Sequence, residues 1–338
     1  SQGIDVVFNY GLFSFNTPNF IFRFSLGETD YQLGATDYER FAAEYAFFGR
    51  SVWQQTLNLT DEEKTELIRL LQENYRPENR VYRYNFFYDN CATRPRDKIE
   101  ESIAGKVIYP AEPQDGSHTF RDIVHQYCKG HPWARFGIDL CIGSEADQPI
   151  TQRQMMFAPF YLMDAFDGAQ IKSDSIQRPL ITANELVVDA TPEPDESDWM
   201  PTPLQCSLLL FILTTAATIY GIRRRTGLWG IDLFLFGIAG IVGCVLAFLA
   251  LFSQHPAVSS NFLLLVFHPG QLFFLPYIIY CVRKGKKCWY LTLNLMVLTL
   301  FIVLFPVIPQ RFDFAVVPLA LVLLIRSASN LIVTSKKK

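Results

Sequence analysis

The sequence predicts an α+β domain followed by an all-α membrane domain of five helices. Three observations carry this reading. Charge is unevenly divided: residues 1–200 hold 18 of the 30 Lys and Arg and 31 of the 33 Asp and Glu, a net of −13, whereas residues 201–338 hold 12 Lys and Arg and 2 Asp, a net of +10. The C-terminal part consists of the apolar blocks Leu204–Ile222, Leu228–Phe252, Phe262–Val282, Cys288–Ile308 and Phe314–Val333, each near the roughly 20 residues that cross a hydrocarbon core. The N-terminal part instead mixes short aromatic and β-branched runs with helical spacing. The predicted organisation is a domain over 1–190, a linker over 191–203 with four prolines and four acidic residues, and a membrane domain over 204–335.

Within the first domain, residues 4–34 are rich in Phe, Tyr and Val and are broken at Gly11, Asn16-Thr17-Pro18 and Gly27, which reads as several short strands. Tyr38, Phe41, Tyr45 and Phe48 have helical spacing over Thr36–Arg50. Thr60 followed by Glu63 marks a helix start, and Pro77 ends that helix. Val81–Phe87 reads as a strand and residues 93–104 as a helix closed by Gly105. A loop with Pro113 and Gly116, a helix over Thr119–Cys128 and a Met-rich helix over Gln152–Phe166 complete the domain.

Basic residues cluster on one side of the membrane blocks, at Arg223–Arg225, Arg283–Lys287 and Lys336–Lys338. The positive-inside rule makes that side cytoplasmic, so five spans leave the C-terminus in the cytoplasm and the acidic domain outside. Arg326 interrupts the fifth block and is expected to snorkel to the interface. An exported domain needs a signal segment; residues 1–30 hold none, and the chain opens at Ser1, without Met, and runs into a strand-like segment, Ile4–Asn9. The sequence therefore predicts that the chain is truncated at its N-terminus. An acidic domain is also a poor nucleic-acid binder, so no nucleic-acid partner is expected.

Of seven cysteines, Cys206, Cys244, Cys281 and Cys288 fall in or beside the spans and read as packing residues. Cys128 and Cys141 could pair in an oxidising compartment, which would leave Cys91 free. No CxxC pair or metal-ligand spacing occurs. Cys91 lies in Tyr88-Asp89-Asn90-Cys91-Ala92-Thr93-Arg94, where a strand is expected to end and a helix to begin. Free N–H groups and the helix dipole favour a thiolate there. Arg94 could add to that effect, and Asn90 could shape the turn and support an oxyanion site. The alternative is a buried structural cysteine. A thiol nucleophile needs a base; among His118, His125 and His131, His118 ranks first, in a Gly-Ser-His-Thr turn. In the third block, His268-Pro269-Gly270-Gln271 is either a proline kink or a broken helix lining a polar cavity. His268, Gln271 and the outer-loop His255 are candidate substrate contacts.

Asn9-Tyr10-Gly11-Leu12-Phe13, Pro18-Asn19-Phe20, Pro77-Glu78-Asn79-Arg80, Tyr84–Cys91, Thr119-Phe120-Arg121 and Pro132-Trp133 resemble the periplasmic domain of the Lnb-type bacterial lipoprotein N-acyltransferases. Ser253-Gln254-His255-Pro256 and the five-span region resemble that family's membrane domain. The resemblance implies a permuted papain-like core, similar to the lecithin–retinol acyltransferase group, in the bacterial inner membrane. It implies a Cys91 thioester, a phospholipid acyl donor, a diacylated lipoprotein acceptor and no cofactor. It also implies that the base is not His118 but a histidine of a Gly-His segment that precedes Asn9-Tyr10-Gly11 and lies upstream of Ser1. Two rivals stay open: a lipid or peptidoglycan hydrolase on the same Cys scaffold, and a non-enzymatic membrane scaffold.

Overall fold

A computed structural model describes residues 5–13, 18–110, 118–173, 177–190 and 200–335. Ser1, most of the expected linker (191–199), the Asn16-Thr17 break, Pro113, Gly116 and Lys336–Lys338 lie outside these residues. Contacts divide the chain into two compact units: residues 1–123, 149–196 and 254–256 in one, and residues 124–148, 197–253 and 257–338 in the other. Composition groups 124–148 with the acidic half, whereas contacts group it with the apolar half.

The first unit contains both strands and helices. Strand β1 (Val6–Leu12) leads into a short helix α1 (Phe20–Ser25), then β2 (Asp30–Asp37), α2 (Tyr38–Phe47), β3 (Val52–Leu57), α3 (Asp61–Tyr75), β4 (Val81–Arg83), α4 (Thr93–Ser102) and β5 (Lys106–Ile108). Strands β1, β2 and β4 form an antiparallel sheet in that order, and Tyr10, Leu33 and Tyr82 form its packed face. The Phe-rich run at Phe20–Ser25 is helix, not the expected strand; Asn19 enters it in the left-handed region at φ 56°, which Asn tolerates. β4 is also shorter than expected. The Asn85 side chain accepts from the N–H groups of Phe87 and Tyr88, and the Asn85 and Asp89 main chains bond each other. That closes a tight turn where the strand would have continued.

Helix α3 begins as the sequence reads. The Thr60 hydroxyl accepts from Glu63 N–H at 3.3 Å while Thr60 N–H donates to Glu63 at 2.8 Å. Burial raises the Glu63 pKa, but the N–H groups of Thr60 and Ala104 and the Arg178 guanidinium outweigh it and hold the carboxyl below its usual range. After α5 (Phe120–Tyr127) and α6 (Pro132–Cys141), the expected Met-rich helix is two: α7 (Gln152–Met155) and α8 (Pro159–Asp167). Pro159 has no N–H to continue the first helix, so the chain restarts with the Phe157 carbonyl off the helical ladder. Strands β6 (Gln170–Lys172), β7 (Gln177–Pro179) and β8 (Ile181–Val188) finish the unit; β6 pairs with β5 and β7, and β8 with β3. Leu59, Ile103, Phe166, Ile171 and Leu180 fill a second core.

In the second unit, α9 (Pro203–Arg223), α10 (Trp229–Phe252) and α14 (Val316–Ser335) are each long and apolar enough to cross a membrane. Between them lie α11 (Gly270–Phe273), α12 (Leu275–Lys284) and α13 (Trp289–Leu304). Phe262–Phe273 and Leu275–Lys284 pass that test together, bent by 74°, and α13 is a shorter apolar helix. Among the described residues this makes three crossing helices, or four with the bent pair taken as one span. The break is packed tightly: a Cβ on Gly243 of α10 would lie 2.4 Å from His268 N, so the two backbones meet only because that position is glycine. Helix α6 lays Phe136 and Leu140 against the apolar core of this unit, and Asn261 donates to the Leu140 carbonyl at 2.7 Å.

Arg326 does not snorkel. It is 2% exposed, forked onto Asp232 of α10 at 2.7 and 3.0 Å, and donates to Thr218 of α9 at 2.9 Å. Desolvation of a charge among apolar helices is offset by the opposite charge and hydrogen bonds, so three helices are tied at one layer. Asp232→Asn is expected to lower stability by about 3–5 kcal/mol, because the guanidinium keeps its burial and loses its counter-charge. Asp232→Leu combined with Arg326→Met should recover most of that loss. Thermal unfolding in detergent reads both.

Candidate active site

Cys91 stands two residues before α4, and Asn90 holds it there. Asn90 is 3% exposed. Its Nδ2 donates to the carbonyls of Phe86 and Phe157, each at 2.9 Å. Its Oδ1 accepts from Ala92 N–H at 2.8 Å and Thr93 N–H at 3.0 Å, and its own N–H donates to the Thr93 hydroxyl at 2.8 Å. Phe87, Phe120 and Phe157 pack their rings beneath the turn. The break before Pro159 therefore supplies the carbonyl that anchors the asparagine.

This geometry corrects the expected oxyanion site. The first two N–H groups at the start of α4 bond Asn90, and Arg94 N–H bonds the Asn90 carbonyl. Both protons of the Asn90 amide face carbonyls. Among the described residues, the N–H of this turn without a partner in another residue is that of Cys91 itself. Asn90 thus positions the turn and does not contact an oxyanion.

The thiol is also not activated as the helix-start argument expects. Cys91 is an exposed residue, yet enough protein crowds the sulfur that burial pushes its pKa above the usual cysteine value, with the Cys91 N–H pulling the other way. Arg94 is engaged elsewhere: it forks onto Asp89 at 2.7 Å twice and lies 3.7 Å over the Tyr82 ring. A guanidinium paired with a carboxylate adds little net positive potential at the sulfur. On the strand side the neighbours are aromatic. A Cβ on Gly11 would lie 3.8 Å from Cys91 Cβ, and the negative charge of a Cys91 thiolate helps raise the pKa of Tyr31, Tyr82 and Tyr84 after their own burial.

The histidines fall elsewhere. His118 takes Ile150 N–H on its carbonyl and sets its ring against Tyr161; no hydrogen bond joins it to Cys91. The described residues begin at Asp5, so the alternative base, expected upstream of Ser1, lies outside them. His125, ranked below His118 as a candidate base, meets buried Asp139 at 2.8 Å across α5 and α6; fourteen residues of separation hid this pair. Cys128 and Cys141 are free thiols. His255 is bonded to the Phe24 carbonyl at 2.6 Å in the first unit. His268 and Gln271 belong to the second unit. There His268 meets Asn294 at 3.3 Å, Asn294 donates to Ser327, and Gln271 donates to the Val266 carbonyl. Among the described residues, Gln271 Oε1 and the Tyr290 hydroxyl are buried without a hydrogen-bond partner. The half-buried His268 and the buried Gln271 thus lie in the second unit, and His255 belongs to the first.

Two family models match the chain: the Lnb N-terminal periplasmic domain over residues 2–126 and the Lnb transmembrane domain over residues 195–338. The chain belongs to the Lnb family. It has the Lnb order of a periplasmic domain followed by a transmembrane domain. The Lnb periplasmic match contains the whole Asn90–Cys91 turn. No curated protein and no solved structure matches the chain.

Two outcomes test the site. Because the Cys91 pKa is raised, its thiolate is a minority at neutral pH, and alkylation by iodoacetamide should keep accelerating as pH rises beyond about 8.5, the ordinary thiol value. Peptide mass spectrometry, which separates Cys91 from the other cysteines, checks this; a plateau below that pH would contradict it. Asn90→Ala should cost about 2–4 kcal/mol in thermal unfolding, since two carbonyls and two N–H groups lose their partner in a buried site. Asn90→Asp, which keeps the acceptor and loses the donor, should cost less.

Proposed function

We propose that this Lnb protein is an N-acyltransferase of bacterial lipoproteins, with Cys91 as its nucleophile. The observation that carries the reading is an accessible cysteine on an immobilised turn, with its own N–H unclaimed by other residues, in a chain whose other half is a membrane domain. The Cys91 sulfur attacks an ester carbonyl of a phospholipid, and the Cys91 N–H stabilises the oxyanion that forms. The C–O bond breaks, the alcohol takes a proton and leaves as lysophospholipid, and the acyl group remains on Cys91 as a thioester. The α-amino group of a diacylglyceryl-cysteine then attacks the thioester. An amide forms, the C–S bond breaks, and the amine's proton passes through the base to the leaving sulfur, which regenerates the thiol.

The raised thiol pKa supports the need for a base. The family's motifs assign that base to a histidine other than His118, and a Cβ on Gly11, in the Asn9-Tyr10-Gly11 motif, would lie 3.8 Å from Cys91 Cβ. The periplasmic unit would use a permuted papain-like arrangement, with the nucleophile at a helix start beside a sheet. The membrane unit would cross the inner membrane five times, the bent pair and α13 each counting as a span, with the basic ends and C-terminus in the cytoplasm. A lipid substrate then reaches the site from the bilayer, avoiding transfer of an acyl chain through water at about 0.8 kcal/mol per CH₂.

Mass spectrometry of lipoprotein N-termini tests this in cells carrying the full-length protein, its Cys91→Ser variant, or neither. The expected result is N-acylation with the unsubstituted protein and a loss of about 10³-fold or more with Cys91→Ser. Equal N-acylation in both would remove the thioester mechanism. Release of free fatty acid without N-acylation would assign a hydrolase instead.

A further inference from the structure

Helix α1 exposes an apolar face. None of its six residues is buried; Ile21 is 80% exposed, Phe22 58% and Phe24 48%. Arg23, its one charged residue, is turned onto Asp30 of the sheet at 2.9 Å, which leaves the apolar side chains outward. A cluster of this kind on a folded surface marks a contact with another apolar phase.

The chain indicates which phase. Residues 254–256 pack in the first unit. Gln254 N–H donates to the Leu26 carbonyl at 2.8 Å, and His255 is bonded to the Phe24 carbonyl with its ring 5.4 Å from that of Phe24. Gly27 (φ 74°) lets this contact form, since a Cβ there would lie 2.8 Å from His255 N. Gln254 follows Phe252, the last residue of the 24-residue apolar helix α10, by two positions. At 3.8 Å between consecutive Cα atoms, about 8 Å of chain links a membrane-crossing helix to the loop that holds α1.

From α1, aromatic rings continue inward. Phe24 neighbours Phe20 at 6.0 Å, Phe20 neighbours Phe13 at 6.1 Å, Phe13 neighbours Tyr31 at 5.0 Å, and Tyr31 stacks on Tyr84 at 4.0 Å. Tyr31 and Tyr84 in turn lie near enough to Cys91 for its thiolate charge to raise their pKa, and a Cβ on Gly11, two residues before Phe13, would lie 3.8 Å from Cys91 Cβ. We propose that α1 sits in the bilayer surface with Ile21, Phe22 and Phe24 among lipid chains, and that these rings guide an acyl chain from there to Cys91. The lipid seat stands without the acyl-transfer reading; the guiding role rests on it.

Ile21→Trp tests the seat in full-length protein reconstituted into phosphatidylcholine vesicles. Ile68→Trp, on the exposed face of α3, serves as the aqueous control. The emission added over the native tryptophans should be quenched by acyl-brominated phosphatidylcholine at least twofold more for Ile21→Trp than for Ile68→Trp. Acrylamide should give the reverse order. Equal quenching of the two, or acrylamide quenching that is stronger at Ile21→Trp, overturns the seat. For the guiding role, Phe13→Ser should lower the ratio of long-chain to short-chain ester turnover about tenfold. An unchanged ratio overturns it. No turnover of either ester by the unsubstituted protein overturns the acyl-transfer reading together with the guiding role, and leaves the seat to be decided by the quenching.

Discussion

Asn90 is the constraint on which the position of Cys91 depends. Its carboxamide has two donors and an acceptor, and each meets a group that the local chain has left without a helical or sheet partner. The Phe86 carbonyl lies in the turn after β4, the Phe157 carbonyl lies at the break before Pro159, and the Ala92 and Thr93 N–H groups open α4. Three separate segments are thereby joined through one buried side chain. An asparagine can do this where an aspartate cannot, because only the amide both donates and accepts.

The same economy explains the chemistry of Cys91. Helix-start N–H groups lower a thiol pKa when they face it; here Asn90 takes them first. The nearest guanidinium is neutralised by Asp89 and stacked on Tyr82. What remains around the sulfur is aromatic, so the neutral thiol is favoured until something removes its proton. A neutral thiol of this kind is a weak nucleophile until a base removes its proton. The aromatic surroundings that disfavour a charge also favour a hydrocarbon chain, so the features that raise the thiol pKa suit a lipid ester.

Much of the frame was legible from local chemistry. The Thr60–Glu63 capping box, the helix after Cys91 and the apolar blocks follow from spacing, capping and hydropathy, which act over a few residues. The parts that were not legible depend on distant partners. Phe20–Ser25 has a strand's composition but forms a helix held by residues 254 and 255, more than 200 positions away. Arg326 reads as a snorkelling residue until Asp232, on another helix, is seen to pair with it. Spacing put Asn90 in the turn, but its amide is fixed by Phe157, 67 residues on, and that leaves its oxygens to take the Ala92, Thr93 and Arg94 N–H groups.

The membrane unit shows a related division between closed and open polar groups. Arg326 bonds Asp232 twice and Thr218 once and so ties α9, α10 and α14 together. The layer around His268 is different. Asn294 and Ser327 are bonded, but Gln271 Oε1 and the Tyr290 hydroxyl are not. Buried polar groups in an apolar helix bundle cost stability unless paired. They lie where the third apolar block breaks, and the break is possible because Gly243 lets two backbones meet. A helix interrupted beside unpaired polar atoms is less tightly determined than one clamped by an ion pair. The unit therefore combines a layer clamped by an ion pair at Arg326 with one near His268 that leaves buried polar atoms unpaired among the described residues.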